Sequence, residues 1–123
     1  AAVLGRQLAE HAWTAALVEV GTGGSATRLL GEAEWLLSAL TLAPDPAEPL
    51  SALAEQARQE AGASIGIAVR AVETGGDTRV DLAVAGPWGV SEASQTAFLG
   101  GGAGRRRAAL AAAAYLHGLL KGH

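Results

Sequence analysis

Ala15-Ala16-Leu17-Val18-Glu19-Val20-Gly21-Thr22-Gly23-Gly24 is the stretch that decides the fold. Its apolar first half reads as a short buried strand, its glycines as a turn, and a helix opens near Ser25. A strand that ends in glycines and feeds a helix starts a βαβ unit. It also presents free backbone N–H groups to an anion. Upstream, Val3, Leu4, Leu8 and Ala12 recur at helical spacing and predict a first helix of roughly ten residues.

Downstream, the helix from Ser25 runs to about Leu30, where Gly31 is its stop. Trp35 to Leu42 is an apolar run that reads as a second strand. Ala43-Pro44-Asp45-Pro46-Ala47-Glu48-Pro49 blocks helix and ladder alike, because proline lacks the N–H. Leu50, Leu53, Ala54, Ala57 and Ala61 predict the next helix, stopped at Gly62. Ser64 to Val72 is a third strand, Thr74-Gly75-Gly76-Asp77 a turn, and Arg79 to Ala85 a strand of alternating burial. Gly86-Pro87-Trp88-Gly89 turns again. Gln95 to Leu99 is read as the last strand, and Arg105 to Leu120 as the terminal helix.

The order α-β-α-β-α-β-β-β-α joins early crossover units to late hairpins. It predicts one domain over residues 1–123, an α/β fold with three α/β/α layers. Its sheet is five-stranded, mixed and mostly parallel. Twenty-nine alanines and seventeen glycines among 123 residues fit close helix-on-sheet packing, or a biased composition, while only five residues are aromatic. The core must therefore be built from Ala, Val, Leu and Ile.

Composition also excludes function classes. A net charge of −3 argues against a nucleic-acid footprint. The absence of cysteine removes thiol catalysis, disulfides and thiolate metal sites. Histidines at 11, 117 and 123 are too scattered for a zinc spacing, so neither metal nor cofactor is expected. His11 and His117 read as packing or surface residues, and Trp88 as a surface anchor for a subunit contact. With no secretory leader and no run of about 18 apolar residues, no membrane partner is expected and the location expected is cytoplasmic.

The glycine turn admits three readings. Gly21-x-Gly23-x-x-Ala26, with Asp45 about twenty residues on, matches the relaxed dinucleotide fingerprint. Alternatively, Gly23 and Gly24 merely permit a tight turn. Thirdly, Glu19-x-x-Thr22-Gly23-Gly24 resembles the Glu-Ser-Cys-Thr-Gly-Gly signature of CinA C-terminal domains, a family that includes nicotinamide mononucleotide amidohydrolases. Gly31-Glu32-Ala33-Glu34-Trp35-Leu36 resembles the family's Gly-Ser-Ser-x-aromatic segment. Gly62-Ala63-Ser64-Ile65-Gly66-Ile67-Ala68-Val69 is similar to its Gly-Ala-Asp-x-Gly-x-Ala-Val strand. Val80 to Gly86, Phe98 and an Arg-led terminal helix complete a likeness that covers nearly the whole chain.

The resemblance implies an α/β domain, a nicotinamide-nucleotide ligand, homo-oligomers and a serine nucleophile supported by a tyrosine and a lysine. This chain departs from it where the chemistry lies. Val20 and Gly21 occupy the serine and cysteine positions, and Ala43 and Glu48 those of the tyrosine and lysine. The family's Thr-Gly-x-Ala-Gly-Pro turn reads Arg70-Ala71-Val72-Glu73-Thr74-Gly75. The sole lysine is Lys121. An amide hydrolase needs an activated hydroxyl, a proton acceptor and oxyanion donors. The expectation is a domain of this type without its amidohydrolase chemistry, retaining nucleotide binding or an assembly role. An active amidohydrolase working through other residues, and a small dinucleotide-binding domain, are the alternatives.

Candidate residues remain. Thr22 offers a hydroxyl or, more simply, a helix N-cap. Glu19 offers a general base or a buried carboxylate held by turn N–H groups or Arg70. Thr22, Gly23 and Gly24 are candidates to hold a ligand. Arg105 and Arg106, following the glycines from Gly100 to Gly104, read either as a phosphate-binding loop or as a solvated helix start.

Overall fold

A computed structural model describes residues 2–21, 24–30, 35–42, 49–97 and 101–121. The elements are α1 (Ala2–His11), β1 (Ala15–Val20), α2 (Ser25–Leu30), β2 (Leu36–Leu42), α3 (Leu50–Ala61), β3 (Ile65–Thr74), β4 (Asp77–Gly86), β5 (Gly89–Ala97) and α4 (Gly101–Leu120). This is the order that hydrophobic periodicity and glycine punctuation predict.

The strands form one sheet in the order β2-β1-β3-β4-β5. β1 pairs in parallel with both β2 and β3, whereas β3 with β4 and β4 with β5 pair antiparallel. Four strands thus share one direction and β4 alone reverses, so the sheet is mostly parallel by direction and evenly split by pairing. The β3–β4 hairpin closes through Gly75 (φ 59°) and Gly76 (φ 92°), between the paired Thr74 and Asp77. Two consecutive positive φ values match the right-handed twist of the strands, and glycine adopts them without strain.

From β1 the chain crosses to β2 through α2, then returns over β1 to β3 through α3. Right-handed crossovers in opposite directions put α2 and α3 on opposite faces. α1, α2 and α4 cover one face, where Leu8, Leu17, Ile65, Val80 and Leu116 are fully buried. Among the described residues α3 alone covers the other, over Ala16, Val18, Val20, Ala68, Ala83 and Ala85. There the layers come very close. A Cβ on Gly66 would stand 1.9 Å from the Ala54 carbonyl oxygen. α3 ends at Gly62 (φ 65°), whose N–H donates to the Gln59 carbonyl, while that of Ala63 donates to the Arg58 carbonyl.

Two boundaries differ from expectation by more than two residues. β5 occupies 89–97 rather than 95–99, because an edge strand wet on much of its surface carries little apolar alternation. α4 begins at Gly101, four residues before Arg105. The glycines that read as a loop are helical, and Gly104 is buried where α4 packs toward α2 and the sheet.

Candidate functional site

The carboxyl ends of β1 and β3 flank the point where the chain's crossovers diverge. Ligands of open α/β sheets bind at such a crevice. The glycine turn lies at this end of β1, with Gly21 (φ 73°) and Gly24 (φ 82°) in the left-handed region. Thr22 and Gly23 lie outside the described residues, as do Ala43, Asp45 and Glu48.

Alternation along β1 sends Glu19 and Val20 to opposite faces. Glu19 is fully buried under α2. Its Oε1 accepts the Ala26 N–H at 2.7 Å, and Oε2 accepts the Thr27 N–H at 2.8 Å as well as the Thr27 hydroxyl. The carboxylate therefore supplies from the preceding strand what the first turn of α2 lacks, since that turn contains no acidic residue. Both oxygens are engaged, which fits an anchor rather than a general base. The same N–H groups are no longer free for a phosphate. Of the donors expected for Glu19, the backbone N–H groups are present. Arg70 pairs in register with Val20, so strand alternation assigns it to the α3 face.

Val20 is 2% exposed and shares a packed cluster with Leu50, Ala54 and Ala57. At the position where the resemblance calls for a nucleophile, the space is filled by hydrocarbon. Arg70 to Thr74, where that resemblance calls for a glycine-rich turn, instead continue β3 and pair with Asp77 to Asp81.

From Val20, register carries a row of side chains across the sheet through Arg70 and Asp81 to Ser94. Arg70 is buried. Asp81 accepts from Arg79 Nη2 at 2.8 Å and from the Ser94 hydroxyl at 2.6 Å. Burial pushes the Asp81 carboxyl up, but the hydrogen bonds from Arg79 and Ser94, with the charges of Arg79 and Arg70, hold it below its ordinary value. Asp81, Glu92 and Ser94 line an open cleft of about 480 Å³ beside the start of α3. The row is not apparent in the sequence, where its signal is the Arg79-x-Asp81 alternation that marks the less buried face of β4.

The other sequence candidates are dispersed. Arg105 lies in the second turn of α4, and Arg106 and Arg107 are exposed beyond it, with helix rather than a flexible loop before them. Trp88 is half-buried, tilted against Trp13 at 5.7 Å between ring centres, and the His11 ring stacks on Trp13 at 4.1 Å. His117 Nδ1 lies 2.9 Å from the Gln7 amide oxygen and links α4 to α1. No group of three metal-ligating side chains occurs among the described residues, and no helix there is long and apolar enough to cross a membrane.

No protein-family model and no curated protein matches the chain. Solved structures do. A competence-damaged protein (CinA) superfamily protein from Enterobacter cloacae superposes with a TM-score of 0.75 at 19% identity, over 95% of this chain and 90% of the other. One from Klebsiella pneumoniae gives 0.76 at 19% identity over 98% and 95%. One from Escherichia coli gives 0.67 at 21% identity over 95% and 84%. These superpositions give the chain the fold of the CinA superfamily.

Proposed function

We propose that this chain is a CinA-like domain that has lost amidohydrolase chemistry and acts through assembly rather than turnover. The observation that carries this reading is the state of the β1 end. Val20 fills the nucleophile position with a buried hydrocarbon, next to a carboxylate whose two oxygens are committed to α2. A valine cannot attack an amide carbon, and Glu19 is buried with both oxygens accepting from α2. The dinucleotide alternative loses support from the same geometry, because a pyrophosphate would compete with Glu19 for the donors at the start of α2.

Incubating the pure protein with nicotinamide mononucleotide and measuring released ammonia tests this. The expected result is no release above the protein-free control. Ammonia production proportional to protein concentration would overturn the reading and restore the amidohydrolase alternative.

A further inference from the structure

We infer that the flank of α3 over β2 is a binding site for a cationic amphiphile, a linear alkylammonium whose chain lies on Leu40 and Leu53 and whose head meets Glu60. The site is separate from the closed end of β1 and does not depend on the loss of chemistry there. α3 packs mainly on β1, β3 and β4. Between it and the outer strand β2 a groove of about 520 Å³ is left, a size that small-molecule sites share. Leu40, on its floor, is 53% exposed.

Two stripes of α3 account for the groove. Leu50, Ala54 and Ala57 are buried against the sheet. Leu53, Gln56 and Glu60 follow at helical spacing on the flank toward β2, where Ala57 and Ala61 are too small to close the gap. A crossover helix runs opposite to the parallel strands that it joins. The last turn of α3, with Glu60, therefore lies toward Ser38, and Leu53 lies toward Leu40. The groove has a polar end and an apolar end. Leu53 and Glu60 stand two turns apart, about 10 Å along the helix axis, which is the span of an octyl chain.

Charge selects the head group. Glu60 accepts from the Gln56 amide at 3.0 Å, and among the described residues no cationic side chain pairs with it. An ammonium brings three donors to an end of the groove that offers the Glu60 carboxylate and the Ser38 hydroxyl. The cleft on the other flank of α3 differs, because its Asp81 is already met by Arg79 at 2.8 Å. A strand of another chain fits this flank less well. The register shift between Ala15 and Ala16 leaves a bulge at Leu37, and a bulge blunts an edge.

Amide NMR titration of the whole chain with octylammonium chloride, octanol and octanoate tests the site, with circular dichroism as the check that each variant is folded. Octylammonium is expected to shift the amides of Leu40, Ala57 and Glu60 with a Kd of about 1 mM or below. Octanoate is expected to bind at least about tenfold more weakly, because its charge repels Glu60. Glu60→Gln should weaken octylammonium by about three- to fivefold, the range of an exposed ion pair, and leave octanol unchanged. Leu40→Ser, at a half-exposed position, should weaken all three by about fivefold through lost apolar contact. Shifts that map away from α3 and β2, or that fail to saturate by roughly ten times the expected Kd, would overturn the inference. Equal affinity for octylammonium and octanoate would do the same, as would an octylammonium affinity that neither variant changes.

Discussion

The two faces of the sheet are built on different principles, and Glu19 and Val20 stand one on each. Under α1, α2 and α4 eleven of the eighteen buried core residues are leucine, isoleucine or valine and the rest alanine, with one buried carboxylate bound to three donors of α2. Under α3 the core is mostly alanine, and the helix rides close to the strands. The first face gains from apolar area, roughly 1.5–3 kcal/mol for each large side chain fully buried. The second gains little area per residue and depends on fit. Fit of that kind leaves no room for a new side chain at Gly66, and it has closed the space around Val20.

Gly66→Ala breaks the α3 face most directly. The added methyl would lie 1.9 Å from the Ala54 carbonyl oxygen and 2.9 Å from Arg58 Cβ, so the helix backbone itself must move. A loss of about 3 kcal/mol or more is expected, at the upper end of overpacking costs. Urea denaturation measures it, and a variant as stable as wild type would mean that α3 is not seated as described.

On the opposite face, Glu19→Gln is the corresponding probe. The amide preserves the size of the side chain but offers one acceptor oxygen and an NH2 group where a second acceptor is needed. One of the buried donors at Ala26 or Thr27 is left opposed by another donor, at an expected cost of about 2–3 kcal/mol. Equilibrium unfolding should show this loss. An unchanged midpoint would indicate that the carboxylate is dispensable to α2 and free for another use.

These residues also mark where sequence reading succeeds and where it stops. The nine elements are legible because α1 and α3 repeat apolar residues at helical spacing, the glycines after β1 announce α2, β1 and β3 are apolar runs, and β4 alternates. β5 lies N-terminal to its expected position because Ser91, Glu92, Ser94, Gln95 and Thr96 give no apolar alternation. Gly101, Gly102 and Gly104 read as loop because propensity disfavours glycine in helices, whereas in the structure they belong to the start of α4 and Gly104 is buried. Glu19 was conspicuous as a carboxylate inside an apolar strand, but its partner Thr27 lies eight positions away on another element. The missing acid in the first turn of α2 was the available hint. The Arg70–Asp81–Ser94 row exists only through register between three strands, which alternation suggests but cannot align.

That row supplies the finest probe of the comparison, since it is the polar margin of the otherwise alanine-built α3 face. Asp81 is held below its ordinary carboxyl value in the folded state by Arg79, Ser94 and Arg70, against the opposing effect of burial. A depressed folded pKa means that the unfolded chain takes up the proton first. The contribution of the Asp81 charge to stability is therefore complete above the unfolded value, about 3.9, and is lost as pH falls through the lower folded one. Asp81→Asn should flatten the acid limb of the denaturation midpoint against pH while changing the neutral value least among these variants, because Arg79 is exposed and its attraction is screened. Added salt should narrow the remaining difference between wild type and variant. An acid limb that is identical in the two proteins would show that the row is held by packing beneath α3, as the alanines are, and not by charge.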